Sequence, residues 1–150
     1  MCQISITQAT PSQYDEITQV WERSVRASHA FLSEDDITEL KPLVRNHYLA
    51  SVKLYCAQDS HTSIVGFLGV FEQKIEMLFV DAECRGKRTG SRLLKFAIEV
   101  LGANCVDVNE QNTQAVTFYL QNGFKQVGRS PLDGLGKPFP LLHLEITDTL

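Results

Sequence analysis

An α/β fold, in the form of a mixed sheet with helices on both faces, is predicted by three observations. Apolar periodicity orders the 150 residues as β-α-α-β-β-β-α-β-α-β-β. The run "KIEMLFV" is largely apolar on both faces, with Ile75, Met77 and Phe79 on one and Leu78 and Val80 on the other, as in a central strand covered on both sides. Glu76 is its polar exception. Amphipathic stripes at helical spacing precede and follow that run.

The elements follow in order. "CQISITQA" alternates Ile4 and Ile6 with polar neighbours and reads as a first strand, broken by "TPS". Tyr14, Ile17, Val20, Trp21, Ser24 and Val25 recur three or four apart, which predicts a helix over 12–28. "SEDD" starts the next helix at Ser33 with acids in its first turn, and Pro42 is expected to divide that region into two short helices. "KLYCAQ" and "SIVGFLGVFE" are strands around the turn-rich "DSHTS", and "KIEMLFV" follows a tight connection. A helix over 88–101 buries Leu93, Leu94, Ala97, Val100 and Leu101. "NCVDVN" is a strand and "NTQAVTFYLQNG" a helix stopped by Gly123; "FKQVGR" and "PFPLLHLEI" close the chain as strands, the second entered through a rigid Pro138-Phe139-Pro140 segment.

The length fits one domain, 1–150. An apolar fraction of 43% with 21% charged residues is that of a folded chain rather than a disordered one. No apolar run approaches the roughly 18 residues of a membrane span, and no signal core opens the sequence, so the cytoplasm is expected and a membrane partner is not. A net charge of −4 argues against nucleic acid as a partner. The four cysteines, Cys2, Cys56, Cys84 and Cys105, form no C-x-x-C pair, and His47, His61 and His143 show no metal-ligand spacing, so no metal is expected.

Against this acidic background, "RGKRTGSRLL" gathers Arg85, Lys87, Arg88 and Arg92 around a helix start, where the macrodipole disfavours cations. A bound anion would reverse that sign. Backbone N–H groups at a strand-to-helix junction can cradle a pyrophosphate, Gly86 and Gly90 allow close approach, and Arg85 can clamp oxygens in bidentate fashion. The spacing fits neither a Walker-type loop nor G-x-G-x-x-G.

The loop and the later "NEQNTQAVTFYLQNGF" together resemble the GNAT superfamily of acyl-CoA-dependent N-acyltransferases. Arg85 and Gly90 match the outer positions of the family's Q/R-x-x-G-x-G/A loop, and Arg88 stands where the family usually has its middle glycine. Asn112, Ala115, Tyr119, Gly123 and Phe124 match the second signature. "SVRASHAFLSEDD" and "GRSPLDGLGKPFPLLHL" extend the likeness, toward small bacterial members, to nearly the whole chain. The resemblance implies the GNAT fold: a mostly antiparallel central sheet of six to seven strands, whose fourth and fifth strands are a splayed parallel pair that receives the pantetheine arm. It implies acetyl-CoA as cosubstrate and an amine as acceptor: a small molecule, a peptide N-terminus or a protein lysine.

Further site roles follow from it. The backbone of Leu78, Phe79 and Val80 would pair with pantetheine, while Arg85, Gly86, Lys87, Arg88, Thr89, Gly90 and Ser91 would hold the diphosphate, with Asn112 also on the cofactor side. A main-chain N–H near Leu78 would meet the oxyanion. Tyr119 would protonate the departing thiolate. Glu76 is the first candidate for the base, through partial burial on the face of Leu78 and Val80. His29, with Phe31, lies where the family's variable acceptor wall is expected. Direct transfer in a ternary complex is the leading reading; a non-catalytic acyl-CoA-binding sensor or regulatory module is the alternative. A homodimer is compatible with either.

Overall fold

The computed structural model describes residues 4–28, 31–81 and 88–146. They fall into two compact units, Met1–Ala103 and Asn104–Leu150.

In the first unit, β1 (Ser5–Gln8), β2 (Lys53–Gln58), β3 (Ile64–Phe71) and β4 (Lys74–Val80) pair in that order, every pair antiparallel. The bounds of β2 and β4 are those read from the sequence. β3 is buried from Ile64 to Val70 because it is covered on both faces. On one face, Ile17, Val20, Trp21 and Val25 of α1 (Tyr14–Ser28) pack in one cluster with Leu54, Cys56, Phe67 and Met77. Each such side chain, fully removed from water, stabilises the fold by about 1.5–3 kcal/mol. On the other face, Gly66 lies directly against Leu93 and Thr89 of α3 (Thr89–Glu99), where a Cβ would come within 3.2 and 3.4 Å of their side chains.

α2 (Glu34–Leu43) starts where the sequence places it. Ser33 Oγ accepts from the Asp36 amide at 3.1 Å, and Asp36 Oδ2 accepts from the Ser33 amide at 3.0 Å, a reciprocal capping box. Pro42 does not divide the region. It lies in the last turn of α2, and the backbone absorbs its missing donor by widening into a π turn over Val44–Tyr48 and then a 3₁₀ turn over Leu49–Ser51. Buried Val44 and Leu49 anchor that irregular stretch. α3 ends two residues early at Glu99, so Val100, placed in the buried stripe by the sequence, is 63% exposed.

The second unit holds β5 (Cys105–Asn109), α4 (Thr113–Gln121), β6 (Phe124–Ser130) and β7 (Leu141–Ile146). β7 pairs antiparallel with both β5 and β6 and lies between them. Strict alternation buries Val106, Val108, Leu142 and Leu144 and leaves Asp107, Asn109 and His143 on the opposite, half-open face. Asn112 caps α4 by accepting from the Ala115 amide at 3.3 Å. Gly123, at φ 95°, stops it as expected from the sequence. Residues 138–140 lead into β7, as the sequence places them.

Candidate active site

β4 ends at a fixed point. Asp81, 8% exposed, accepts through Oδ2 from Arg23 Nε at 2.9 Å and Nη2 at 2.7 Å, and its amide donates to the Val65 carbonyl at 2.8 Å. The predicted loop residues Arg85, Gly86 and Lys87 lie outside the described residues, as does His29. Arg88, the first described residue after Asp81, is the N-cap of α3 and has φ 65° and ψ 12°, the left-handed region. Its side chain provides no cap, so the first-turn amides of α3 are not closed off by it. That geometry suits a bound anion. Thr89 contributes backbone only, since its side chain is 2% exposed against β3. Gly90 and Ser91 complete the first turn. Arg92 faces elsewhere, with Nη1 donating to the Ile4 carbonyl at 3.2 Å.

Leu78, Phe79 and Val80 are half-buried along β4 and pair with Leu68, Phe67 and Gly66. The Phe79 ring stacks on Phe67 at 5.4 Å. Upstream, the register passes from Gly69↔Met77 to Val70↔Ile75, so Glu76 is the extra residue of a β-bulge. The partial burial expected for Glu76 is not found: the bulge leaves it exposed. It borders a cavity of about 450 Å³ lined also by Tyr48, Ser51, Val52, Phe71 and Met77. Phe31 is half-buried in the turn before α2.

In the second unit, Tyr119 is 5% exposed on α4, edge-on to Phe124 at 5.3 Å. Burial pushes its phenol well above the ordinary tyrosine range, so the hydroxyl keeps its proton at neutral pH. Among the described residues its hydroxyl has no hydrogen-bond partner. Asn112, read as a cofactor contact, spends its side-chain oxygen on the α4 cap.

The sequence reading passed over one further group. His143 Nδ1 is 2.6 Å from Asp107 Oδ1, and its Nε2 is 2.7 Å from Ser130 Oγ. Among the described residues no three His, Cys, Asp or Glu side chains gather in a way that could hold a metal.

The family profile described as an acetyltransferase (GNAT) domain matches residues 29–134. The chain belongs to the GNAT acetyltransferases. It is 42% identical over 141 residues to the peptidyl-lysine N-acetyltransferase YjaB of Escherichia coli (strain K12), covering 94% of this chain and 95% of that protein. It is 23% identical over 146 residues to YiaC of the same organism, covering 97% of this chain and 99% of that protein. The solution structure of apo YjaB from Escherichia coli superposes with a TM-score of 0.89 at 40% identity, covering 98% of this chain and 99% of that one. The PaiA N-acetyltransferase from Thermoplasma acidophilum, solved with coenzyme A, shares the fold, with a TM-score of 0.76 at 19% identity, covering 97% of this chain and 99% of that one.

The GNAT assignment gives the strand-to-helix junction its meaning. As a GNAT acetyltransferase the chain takes acetyl-CoA as donor and an amine as acceptor. The departure at Arg88 falls on a backbone position with positive φ, which is where a glycine is favoured.

Proposed function

We propose that this chain acetylates lysine side chains of proteins or peptides by direct attack of the amine on acetyl-CoA. The observation that supports it is the near full-length likeness to YjaB, a peptidyl-lysine N-acetyltransferase. The profile match runs across both compact units, which supports treating 1–150 as one GNAT domain.

In this reading the diphosphate of acetyl-CoA is held by first-turn amides of α3 at Thr89, Gly90 and Ser91, together with Arg85, Gly86, Lys87 and Arg88. The main chain of Leu78, Phe79 and Val80 pairs with the pantetheine arm, and Asn112 fixes the start of α4 so that Tyr119 is presented to the sulfur. Tyr119 gives its proton to the departing thiolate; the match of Asn112, Ala115, Tyr119, Gly123 and Phe124 to the family's second signature supports that role. An exposed carboxylate beside a cavity suits attraction of a lysine ammonium, so Glu76 receives the acceptor, and His29 and Phe31 are proposed as acceptor contacts from the family resemblance alone. A cytoplasmic location belongs to the same reading, since the donor is an intracellular metabolite.

Thiol release from acetyl-CoA, measured with lysine peptides, spermidine, free amino acids and N-terminal peptides, tests the acceptor class. Lysine peptides are expected to give the highest kcat/KM. Preference for another amine would overturn the lysine assignment, and binding of acetyl-CoA with no thiol release from any amine would return the chain to an acyl-CoA sensor. Size-exclusion chromatography of the purified chain decides between monomer and homodimer.

A further inference from the structure

Asp81 places a negative charge at the entrance of the most cationic stretch of the chain. Arg85, Lys87 and Arg88 follow it, the first only four positions on. Its own location is fixed by the first unit. The Asp81 amide donates to the Val65 carbonyl at 2.8 Å, one step beyond the Gly66↔Val80 pair that ends the β3–β4 ladder. The next residue of β3, Gly66, makes room for the side chains of Thr89 and Leu93 on α3. Consecutive residues of one buried strand therefore hold the chain on either side of positions 82–87.

Those contacts are neutral, and the charge of Asp81 is met from a different element. Arg23 of α1 directs Nε at 2.9 Å and Nη2 at 2.7 Å onto the one oxygen Oδ2. The Asp81 side chain is 12% exposed and that of Arg23 48%, so a nearly buried carboxylate is covered by a guanidinium that itself reaches water. The packing of α1 is carried by Ile17, Val20, Trp21 and Val25, so what Arg23 adds is charge. A partly buried ion pair is weak evidence of stabilisation, since desolvation offsets the attraction. The loop that follows supplies another reason for the pair.

We propose that Arg23 is a positioning residue for the donor: by holding the Asp81 carboxylate, it leaves the cations that follow free to grip the diphosphate of acetyl-CoA. This inference rests on the donor site proposed above. Without Arg23 the carboxylate would compete with phosphate for Arg85, Lys87 and Arg88. It would also repel the incoming anion with little screening, because it is nearly buried. Arg23 acts on both effects through Asp81.

Calorimetric titration of wild type, Arg23→Ala, Asp81→Asn and the double variant with acetyl-CoA tests the idea. Arg23→Ala is expected to weaken Kd about tenfold, the equivalent of roughly one charge-assisted phosphate contact. Asp81→Asn removes the charge, keeps an oxygen for Arg23, and is expected to bind no more weakly than wild type. The double variant is expected to recover to within about threefold of wild type, because no carboxylate is left to hold. A merely structural ion pair predicts the reverse, a double variant as weak as Arg23→Ala. Arg23→Gln, neutral but still able to donate, is expected to match Arg23→Ala and carries the comparison where the alanine variant does not fold. S-acetylpantetheine, a donor without phosphate, is expected to bind all variants alike. The inference is overturned by arginine variants within about twofold of wild type, a double variant that does not recover, a weakened Asp81→Asn, or equal weakening toward S-acetylpantetheine. A wild type that binds acetyl-CoA no tighter than S-acetylpantetheine overturns the diphosphate site, and this inference with it. Preference for an amine other than lysine, or no turnover at all, shows separately in thiol release and leaves the affinity series intact.

Discussion

Replacing Arg88 by glycine separates what that residue costs the fold from what it gives the ligand. At φ 65° and ψ 12° an L side chain crowds its own backbone, a strain of about 1–2 kcal/mol. A cation at the N-terminus of α3 adds about 0.3–1 kcal/mol of unfavourable dipole interaction. Glycine relieves both, while the greater freedom of its unfolded chain returns about 0.5–1 kcal/mol. The net expectation is a ligand-free protein more stable by about 1 kcal/mol, a rise in Tm of about 2–4 °C for a chain of this size. Acetyl-CoA binding should move the other way. Loss of one exposed guanidinium–phosphate contact, at about 1.4 kcal/mol, weakens Kd about tenfold. Thermal unfolding without ligand and calorimetric titration with acetyl-CoA read the two effects independently. A lower Tm in the glycine variant would refute the strain argument, and unchanged or tighter binding would refute the phosphate role of Arg88.

Three more outcomes follow. Tyr119→Phe should lower kcat about 100-fold with acetyl-CoA affinity unchanged, checked by thiol release and calorimetry; because burial holds the wild-type phenol protonated, no loss of rate from its ionisation is expected at or below the ordinary tyrosine range. Gly69→Ala should destabilise by about 1–3 kcal/mol in urea, since the new Cβ would lie 2.7 Å from Val52 Cγ2 and 3.0 Å from Met77 Cε. Glu22 bonds Lys41 Nζ at 2.6 Å and Arg26 Nη2 at 2.9 Å, and these partners, Lys41 first, hold its carboxyl below the ordinary 4.5. Its stabilisation is therefore present above that value and lost as pH falls through the lowered one, so Glu22→Gln should cost about 0.5–1 kcal/mol at neutral pH and nothing in strong acid.

Local chemistry was legible in the sequence and register was not. The capping box at Ser33, the stop at Gly123 and the bounds of β2 and β4 depend on residues within one turn or one strand, so their signals lie side by side. The bulge at Glu76 depends on how β4 lies against β3, and period-2 reading carries its side chain to the wrong degree of burial. The same limit hid the hydrogen bonds of His143 to Asp107 and Ser130. His143 lies 36 residues from Asp107 and 13 from Ser130, and alternation marks the half-open face of each strand without saying that β7 enters between β5 and β6. Motif spacing marked Tyr119 and the α3 junction as candidates because a helix start and a helix face are local. Arg88 was visible as a departure; that its backbone is left-handed was not.

β3 admits almost no change. Its glycines hold places where an added methyl at Gly66 would come within 3.0 Å of the Phe79 carbonyl oxygen and 3.2 Å of Leu93 Cδ1, and its neighbours are sealed on both sides. Descendants of this chain that learn to recognise a new acceptor will therefore leave the buried length of that strand untouched and vary at exposed positions such as Val127 and Leu132.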